Sequence, residues 1–315
     1  MKLLVTGGAG FIGSHFVRTA VAEELGELRV LDNLGYAGNQ ANLEPVADRI
    51  ELVHGDIRDP ETVAAAMDGV DQVVHFAAES HVDRSIAGPE VFVHTNVLGT
   101  QTLLEAARVA DVGTFLQVST DEVYGSIPAG SWPETDPLAP NSPYAATKAS
   151  ADLLALAYHR TYGMDVRVTR CSNNYGPYQY PEKMIPLFVT RLLDGEQVPL
   201  YGDGQNIRDW LHVDDHCRAL RLVLERGEPG EIYNIGGDTE LTNKELTGRL
   251  LEALGQGWDR VRYVTDRAGH DRRYSVDWSK AEDQLGYSPA IGFDEGLAET
   301  ITWYADNRAW WEPLR

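Results

Sequence analysis

The chain has 315 residues, and its 27 lysines and arginines against 48 aspartates and glutamates give a formal charge of −21. This excess of negative charge disfavours a nucleic-acid binder or a protein that docks on anionic lipids, because both partners attract cations. With 43% hydrophobic and 24% charged residues, the composition is typical of a globular protein.

Neither a targeting segment nor a metal site is predicted from the sequence. No apolar run reaches the roughly 18 residues of a membrane span, and the segment Met1–Gly7 lacks the core of a signal peptide. Cys171 and Cys217 have no CxxC spacing and are expected to be reduced. We read no zinc-site spacing among the histidines and cysteines. A cytoplasmic protein without a metal, a membrane partner or a nucleic-acid partner is therefore expected.

The first half of the chain alternates short β-branched runs with longer helical patterns, as in βαβ units on a parallel sheet. The predicted strands are Lys2–Thr6, Leu28–Asp32, Ile50–His54, Gln72–Ala77, Thr114–Ser119 and Val166–Cys171. The predicted helices are Ile12–Leu25, Pro60–Met67, Glu90–Ala110 and Tyr144–Tyr162. This order predicts an α/β fold with a Rossmann-type, doubly wound parallel sheet.

The pattern changes beyond Asn173, where prolines and glycines interrupt the chain. Pro177, Pro181 and Pro186 predict a loop, and Gly202–Gly204 predicts a turn. Later segments predict helices near Asp214–Glu225, Asn243–Leu254 and Phe293–Tyr304 and a strand at Ile232–Ile235. We therefore expect a Rossmann-type domain over 1–173, to which 206–237 returns, and a smaller mixed α/β domain that covers most of 174–315.

A glycine-rich segment, Gly7–Gly13, follows the first predicted strand and opens the first predicted helix. Glycines allow a tight turn, and the N–H groups at a helix N-terminus can bind a pyrophosphate. An ordinary βα turn is the alternative, but Asp32 ends the second strand where an acidic residue would accept ribose hydroxyls. Because a carboxylate there repels the extra phosphate of NADP, these features predict an NAD-binding domain.

Two further strand ends are expected beside the cofactor. Asp56 and Ile57 follow the third strand and would meet the adenine, while Ala77 and Ala78 end the fourth strand near the nicotinamide. For Asp56, a helix N-cap before Pro60 is an equally good alternative, and both roles are compatible.

Tyr144 and Lys148 are four residues apart in a predicted helix and therefore share one face. A nearby ammonium group lowers the pKa of a phenol, which can then take a proton from a hydroxyl whose carbon loses hydride. Such pairs are also common on helix surfaces. The preceding glycine-rich segment and a strand that ends at Ser119 and Thr120 favour the catalytic interpretation.

Together these features resemble the extended short-chain dehydrogenase/reductases, a family that includes sugar-nucleotide epimerases, decarboxylases and dehydratases. Asp121 and Glu122 directly follow Thr120. They could form a solvated turn, but their place between Thr120 and the Tyr144 helix favours chemistry. An epimerase needs no such pair, whereas elimination of water needs both a base and an acid. The pair therefore indicates a dehydratase.

Longer segments resemble the dTDP-glucose 4,6-dehydratases of this family, from the first residue to the last few. The matching segments are Ala78–Ser85, Thr120–Glu122, Asn173–Lys183, Arg208–Val213, Gly269–Tyr274 and Trp310–Leu314. The resemblance implies that dTDP-glucose is oxidised at C4 by tightly bound NAD, loses water across C5 and C6, and regains the hydride at C6.

The resemblance also implies a role for each residue at the reacting atoms. Tyr144, assisted by Lys148, would remove the proton of the C4 hydroxyl, and Thr120 would hydrogen-bond the C4 oxygen. Glu122 would remove the C5 proton, and Asp121 would protonate the departing C6 hydroxyl. Oxidation must come first, because the C5 proton is acidic only beside a carbonyl.

Contacts with both ligands are implied in the same way. The residues implied to bind NAD are Gly7, Gly10, Phe11, Ile12, Gly13, Asp32, Asn33, Asp56, Ile57, Ala77, Ala78, Ser80, Thr95, Tyr144, Lys148 and Asn174. Those implied to bind the substrate are Ser80, Thr120, Asn173, Glu182, Lys183, Arg208, Asn243, Arg272 and Tyr274. Arg208 and Arg272 would hold the diphosphate on an otherwise acidic protein, and Asn243 has the alternative of a helix N-cap.

Two other functions are weighed against a dehydratase. A UDP-sugar 4-epimerase or decarboxylase usually carries small or non-acidic residues in place of Asp121 and Glu122. A non-catalytic dinucleotide sensor would have no reason to keep Thr120, Tyr144 and Lys148 together with that pair. The family also implies a homodimer in which Glu90–Ala110 and Tyr144–Tyr162 of two copies form a four-helix bundle.

Overall fold

The computed structural model describes residues 1–315. Its strands, β1–β12 in chain order, are Lys2–Thr6, Glu27–Asp32, Ile50–His54, Gln72–His75, Thr114–Thr120, Val166–Cys171, Asn173–Tyr175, Val198–Tyr201, Ile207–His212, Ile232–Ile235, Glu240–Thr242 and Val261–Val264.

Helices α1–α12 are Phe11–Ala22, Pro60–Ala66, Val82–Ala87, Glu90–Phe92, Thr100–Val109, Pro143–Tyr162, Met184–Leu193, Val213–Arg226, Asn243–Ala253, Ser279–Leu285, Phe293–Asp306 and Arg308–Trp311. A π-helical segment, Val93–Gly99, joins α4 to α5, and 3₁₀ helices cover Gln40–Arg49, Asp121–Tyr124, Trp258–Arg260 and Glu312–Leu314. None of the helices combines the length and the apolar character needed to cross a membrane.

Seven parallel strands form the main sheet, in the order β3-β2-β1-β4-β5-β6-β10. The strand order reverses at β1, which pairs with β2 on one side and with β4 on the other. In open α/β sheets, ligands bind outside the carboxyl ends of the strands at such a reversal. The predicted Rossmann-type sheet is confirmed, and it places a binding crevice beside β1.

Helices cover both faces of this sheet. Phe16 of α1 and Leu220 of α8 lie in the core on one face, and Val63 of α2 and Leu104 of α5 lie in the core on the other. Strands covered on both faces are buried along their whole length and are rich in apolar residues. All seven residues of β5 are buried. This double coverage explains the short, continuous apolar runs in the first half of the sequence.

The smaller part of the fold contains a three-stranded sheet, β11-β9-β7, and the parallel pair β12-β8. Strand β9 pairs antiparallel with β11 and parallel with β7, so this sheet is mixed. Its core includes Phe188 of α7, Leu250 of α9 and Ile301 of α11. A smaller mixed α/β part, as expected from the sequence, is present.

The return of 206–237 to the main sheet involves only part of that range. Strand β10 is the seventh strand of the main sheet and α8 packs on it, whereas β9 belongs to the smaller sheet. Helix α10 adds Ala281 and Leu285 to the core of the main sheet. The domain boundary at residue 173 stays a prediction.

Three local features differ from the sequence prediction. Pro186 lies in the first turn of α7 and not in a loop, since N–H groups in a first turn have no partner within the helix. Strand β4 ends at His75, two residues early, and Phe76–Ser80 continues as a loop. The helix expected over Glu90–Ala110 contains the π-helical segment, which includes Thr95.

Candidate active site

One cleft, at the carboxyl ends of the main-sheet strands, collects most of the residues selected from the sequence. The predicted cofactor residues that line it are Gly7, Gly10, Phe11, Ile12, Gly13, Asp32, Asn33, Ile57, Ala77, Ala78, Ser80, Thr95, Tyr144, Lys148 and Asn174. The predicted catalytic and substrate residues that line it are Ser80, Thr120, Asp121, Glu122, Tyr144, Lys148, Asn173, Glu182 and Lys183. The fold therefore brings segments from both halves of the chain into one site.

The glycine-rich turn forms a cradle that larger residues would fill. Gly7 has a φ of +70°, and a Cβ on it would lie 2.5 Å from the backbone nitrogen of Ala77. A Cβ on Gly13 would collide with the carbonyl oxygen of Gly7. Helix α1 begins after Gly10 without a side-chain cap, so its first N–H groups are available to an anion. These features fit the pyrophosphate of a dinucleotide.

Asp32 is held at the rim of this cradle. Its carboxylate accepts hydrogen bonds from the backbone nitrogens of Ala9, at 2.9 Å, and Leu34, at 2.8 Å. Burial raises the pKa of Asp32, and the two backbone donors oppose that shift. The following segment, Asn33–Gly38, contains no cation that would bind a 2′-phosphate. The residues present therefore fit NAD better than NADP.

Asp56 does not line the cleft, although Ile57 does. Its carboxylate accepts hydrogen bonds from the backbone and guanidinium of Arg58, with a shortest distance of 2.6 Å, and this contact lowers its pKa. The N-cap of α2 is Asp59, which accepts from the backbone nitrogen of Glu61 at 3.1 Å. The N-cap interpretation of Asp56 is therefore wrong.

Tyr144 and Lys148 lie on consecutive turns at the start of α6. The helix begins beside Ser142, whose side chain accepts from the backbone nitrogen of Ala145 at 3.1 Å. Lys148 Nζ donates to the carbonyl oxygen of Val118 at 2.7 Å, which fastens the helix to β5. Both side chains are buried at the cleft.

The pKa of Tyr144 moves in the direction opposite to the one expected from its neighbour Lys148. Burial raises it well above the ordinary value of a phenol, and the carboxyl groups of Glu122 and Asp121 raise it further. Burial also lowers the pKa of Lys148. The expected lowering is absent because desolvation and two nearby acids oppose the formation of a phenolate in this structure.

Asp121 and Glu122 lie in a 3₁₀ turn that follows β5 without a break. The turn is capped by Thr120, whose hydroxyl oxygen accepts from the backbone nitrogen of Glu122 at 3.3 Å. Asp121 Oδ2 and Glu122 Oε2 are buried without a hydrogen-bond partner. Buried polar atoms are rarely left unpaired, so both carboxyl groups have capacity for a ligand.

The two carboxyl groups differ in the balance of charges around them, although Arg208 opposes the rise in pKa of both. Burial raises the pKa of Asp121 well above its ordinary value, and the carboxylates of Glu122 and Asp209 raise it further. Burial also raises the pKa of Glu122, but the cations Arg267, Arg208 and Lys183 all oppose this shift. Asp121 is therefore suited to donate a proton, and Glu122 to accept one.

The predicted sugar contacts lie together at one end of the cleft. Lys183 Nζ donates to the carbonyl oxygen of Ser80 at 2.9 Å, and the Arg84 side chain donates to Glu182 Oε2 at 2.9 Å. Asn173 Oδ1 is buried and unpaired. The loop after β7 thus carries polar groups from the smaller part of the fold to the cleft.

Arg208 and Tyr274 lie behind the cleft lining. The guanidinium of Arg208 is buried 4.2 Å from the ring centroid of Tyr274, and it donates to the carbonyl oxygens of Ile207 and Asp271. Tyr274 donates to Asp271 Oδ2 at 2.7 Å. The structure thus holds Arg208 within a packed cluster whose charge acts on Glu122.

Two predicted substrate contacts are not brought to the cleft. Arg272 is exposed and pairs with Asp203 at 3.0 Å, because it extends beside the turn that contains Asp203. Asn243 is the buried first residue of α9, but the N-cap is Thr242, whose side chain accepts from Glu245. The N-cap alternative for Asn243 is therefore wrong.

Three residues in or near the cleft were not selected from the sequence. Arg267 lies near Glu122, and its Nε is buried and unpaired. It stands two residues before the segment Gly269–Tyr274, so a search of the flanking positions for cations would have found it. Tyr36 and Tyr180 also line the cleft, with ring centroids 5.8 Å apart.

The prediction that no histidines have the spacing of metal ligands is wrong for one pair. His212 and His216 stand four residues apart, so spacing alone does not exclude a metal. In the structure, His212 Nδ1 accepts from the backbone nitrogen of Asp214, and His216 Nδ1 contacts Asn174 Oδ1 at 2.9 Å. No group of three or more His, Cys, Asp or Glu residues is arranged to hold a metal ion.

Comparisons with known proteins agree with this geometry. The family model for GDP-mannose 4,6 dehydratase matches residues 4–300. A dTDP-glucose 4,6-dehydratase from Streptomyces antibioticus is 63% identical over 321 residues, covering 100% of this chain and 96% of that protein. One from an Actinoplanes strain is 61% identical, covering 99% of this chain and 100% of that protein.

Solved structures show the same similarity. A dTDP-glucose 4,6-dehydratase from Streptomyces venezuelae, crystallised with NAD and dTDP bound, is 64% identical with a TM-score of 0.99, and both chains are covered completely. A UDP-glucose 4-epimerase from Thermus thermophilus in complex with NAD is 35% identical with a TM-score of 0.91, covering 98% of this chain and 100% of that one. By family model, sequence and fold, this chain belongs to the GDP-mannose 4,6-dehydratase family.

Proposed function

We propose that this protein converts dTDP-glucose to dTDP-4-keto-6-deoxyglucose with NAD as a tightly bound cofactor. The observation that carries the proposal is the buried pair Asp121 and Glu122, whose surroundings favour an acid and a base in the same cleft as Tyr144. The dTDP-glucose 4,6-dehydratases at 61–64% identity support the substrate and the reaction.

The residues of α6 and Thr120 act on C4. When bound, NAD supplies the acceptor for the C4 hydride and later the donor of a hydride to C6. Tyr144 takes the proton of the C4 hydroxyl, and Lys148 supplies the positive charge that a buried phenolate needs. Thr120, which ends β5, hydrogen-bonds the C4 oxygen and holds it in place for this transfer.

The 3₁₀ turn acts on C5 and C6 once C4 is a carbonyl. Glu122, which faces three cations, takes the C5 proton, and Asp121, which faces two carboxylates, gives its proton to the departing C6 hydroxyl. Water is lost, and Glu122 returns its proton to C5 when C6 has been reduced. Glu122 thus ends the cycle in its starting protonation state. The proton that Tyr144 gains replaces the one that Asp121 loses with the departing water, so a proton must pass from Tyr144 to Asp121, directly or through solvent, before the next turnover.

The substrate and cofactor contacts that we propose follow the cleft lining. Gly7–Gly13 and Asp32 hold NAD, while Asn173, Glu182 and Lys183 hold the sugar nucleotide. Arg208 supplies positive charge from behind the lining. A cytoplasmic location, expected from the sequence, stays a prediction.

A UDP-sugar 4-epimerase is the second candidate, because the Thermus thermophilus epimerase has the same fold. Epimerisation at C4 removes and returns one hydride, and it leaves Asp121 and Glu122 without a step. The 35% identity to that enzyme, against 63% to the dehydratase of Streptomyces antibioticus, also favours dehydration.

Substrate labelled with deuterium at C4 tests the function directly. Incubation of the purified protein with this dTDP-glucose should give a product that has lost water and carries the deuterium at C6, as read by mass spectrometry and NMR. When this substrate is mixed with ¹³C-labelled dTDP-glucose that carries no deuterium, the ¹³C product should contain no deuterium, because the cofactor stays bound throughout the reaction. Unchanged substrate or a 4-epimer would contradict the proposal.

We also propose that two copies pair through α6 and the helical segment from α4 to α5. Apolar side chains are exposed on both: Leu98 is 52% exposed and Leu153 57%, and Val91, Val109 and Tyr162 are exposed as well. Such a row of apolar residues is unusual on a monomer surface. Joining the two faces would bury it in a four-helix bundle.

Charge placed on this face should separate the copies. The variant Leu98→Asp/Leu153→Asp is expected to sediment as a monomer, whereas the native chain sediments as a dimer, because a bundle core excludes unpaired carboxylates. Tyr263→Asp, at an exposed aromatic residue on β12, is the control and should remain a dimer. A native chain that sediments only as a monomer would refute the proposed pairing.

A further inference from the structure

An ion pair without solvent access lies beneath the active site. Arg170 Nε on β6 donates to Asp152 Oδ2 on α6 at 3.0 Å, and the two side chains are 2% and 0% exposed. The loss of hydration of both charges opposes the burial of such a pair and can exceed their mutual attraction. Apolar residues of similar volume in the same place often make a fold equally stable or more stable. Stability alone therefore does not explain why the core contains this pair.

The pair is part of a longer chain of hydrogen bonds. Arg170 Nη1 donates to the hydroxyl oxygen of Tyr124 at 2.7 Å, and that hydroxyl donates to Asn234 Oδ1 at 2.9 Å. Asn234 in turn donates to the carbonyl oxygens of Trp132 and Asp277. Four buried side chains thus join α6, β6, β10 and the turn that contains Tyr124.

Two members of this hydrogen-bond network, Asp152 and Tyr124, lie next to the two sets of reacting groups. Asp152 follows Lys148 by four residues, one turn along α6. Tyr124 is the last residue of the 3₁₀ turn that contains Asp121 and Glu122. Its ring also stacks on Trp132, with centroids 6.1 Å apart and an interplanar angle of 18°. The network therefore connects the helix that oxidises C4 to the turn that removes water.

We propose that Asp152, Arg170 and Tyr124 are positioning residues, which fix the turn of Asp121 and Glu122 against the helix of Tyr144 and Lys148. This inference rests on the proposed dehydration, in which one bound sugar must meet both sets of groups at neighbouring carbons. Acid–base catalysis is sensitive to errors of about 1 Å in such placement. A hydrogen-bonded network in a closely packed core keeps the pair Asp121 and Glu122 at a fixed position relative to the pair Tyr144 and Lys148.

The variant Tyr124→Phe removes only the hydroxyl that links Arg170 to Asn234. The turn is then less firmly held, while α6 keeps its bond from Lys148 to Val118. Elimination is expected to slow by about 10- to 100-fold with KM within twofold. C4 oxidation should remain fast. In single-turnover mixing with dTDP-glucose, the absorbance of reduced nicotinamide should therefore rise to a higher level in the variant than in the native enzyme.

Tyr233→Phe is the matched control, since Tyr233 is also fully buried and its hydroxyl accepts only from the backbone nitrogen of Glu228, at 3.0 Å. It should keep native kinetics. If Tyr124→Phe matches this control, or slows oxidation and elimination equally, the positioning role is wrong. If the native enzyme itself does not dehydrate dTDP-glucose, the proposed function fails first, so the two failures are distinguishable.

Asp152→Asn gives an independent readout at the other end of the network. Lys148 is faced by Asp152 from α6, by Cys171 from β6 and by His75 from β4. Burial lowers the pKa of Lys148, and the Asp152 carboxylate opposes this shift. Loss of the carboxylate should therefore move the alkaline limb of the kcat–pH profile to lower pH. Asp152→Glu should partly restore it. An alkaline limb that does not move in Asp152→Asn would overturn the role of Asp152.

Discussion

The variant Glu122→Gln should stop the reaction at the 4-keto sugar, with C4 oxidised and water still in place. Glutamine keeps the shape of the side chain but cannot take the C5 proton. Loss of a positioned general base typically costs 10²- to 10⁴-fold in rate, and we expect elimination to fall by about 10³-fold. Mixed with dTDP-glucose, the variant should accumulate reduced nicotinamide, seen by its absorbance, and should release almost no product of lower mass.

The surroundings of Glu122 make this prediction specific. The carboxylate faces Arg208, Arg267 and Lys183, so its replacement removes one counter-charge from those cations. It also removes a charge that raises the pKa of Tyr144, which should favour rather than hinder C4 oxidation. Glu231→Gln is the control, because Glu231 forms an exposed ion pair with Lys280 at 2.6 Å, outside the cleft. Native turnover by Glu122→Gln would show that another group removes the C5 proton.

Tyr144→Phe should abolish the first step and leave the cofactor oxidised. Without the phenol, the proposed acceptor of the C4 hydroxyl proton is missing, and the rate of C4 oxidation should fall by about 10²- to 10⁴-fold. Mixing with dTDP-glucose should produce no absorbance of reduced nicotinamide, which separates this variant from Glu122→Gln. Substrate affinity, measured by calorimetry, should change only a few fold.

A second measurement separates the role of Tyr144 from a general loss of structure. Given the 4-keto sugar nucleotide directly in D₂O, Tyr144→Phe should still exchange the C5 proton, because Glu122 is intact. Tyr158→Phe, on the same helix with its hydroxyl bonded to Gln101 and Glu105, should behave as the native enzyme. Rapid C4 oxidation by Tyr144→Phe would assign the proton transfer to a different residue.

The main sheet was predictable because its strands are covered on both faces and therefore read as short apolar runs. Six of its seven strands lie in the first 171 residues and match the predicted positions closely. The strands of the smaller part, β7, β8, β9, β11 and β12, were not predicted. They are three to six residues long, and β9 contains the charged residues Arg208 and Asp209, so neither periodicity nor apolar content marks them.

Residues at short, regular spacings formed the predictable part of the site. Gly7–Gly13 lies between a strand and a helix, Tyr144 and Lys148 share one helical face, and Asp121 and Glu122 are adjacent. In each case local geometry decides where the side chains lie relative to each other. These spacings, together with the long matching segments, were sufficient to indicate the family and the reaction from the sequence alone.

The tertiary structure decided the charges and long-range contacts of the site. It showed that burial and two acids raise the pKa of Tyr144, that Arg267, which was not selected from the sequence, acts on Glu122, and that Arg272, expected at the diphosphate, pairs with Asp203. A pKa depends on desolvation and on charges brought near by folding, neither of which is encoded in the spacing of neighbouring residues. The sequence by itself therefore determined which chemical groups are present, and only the fold decided which of them share an environment.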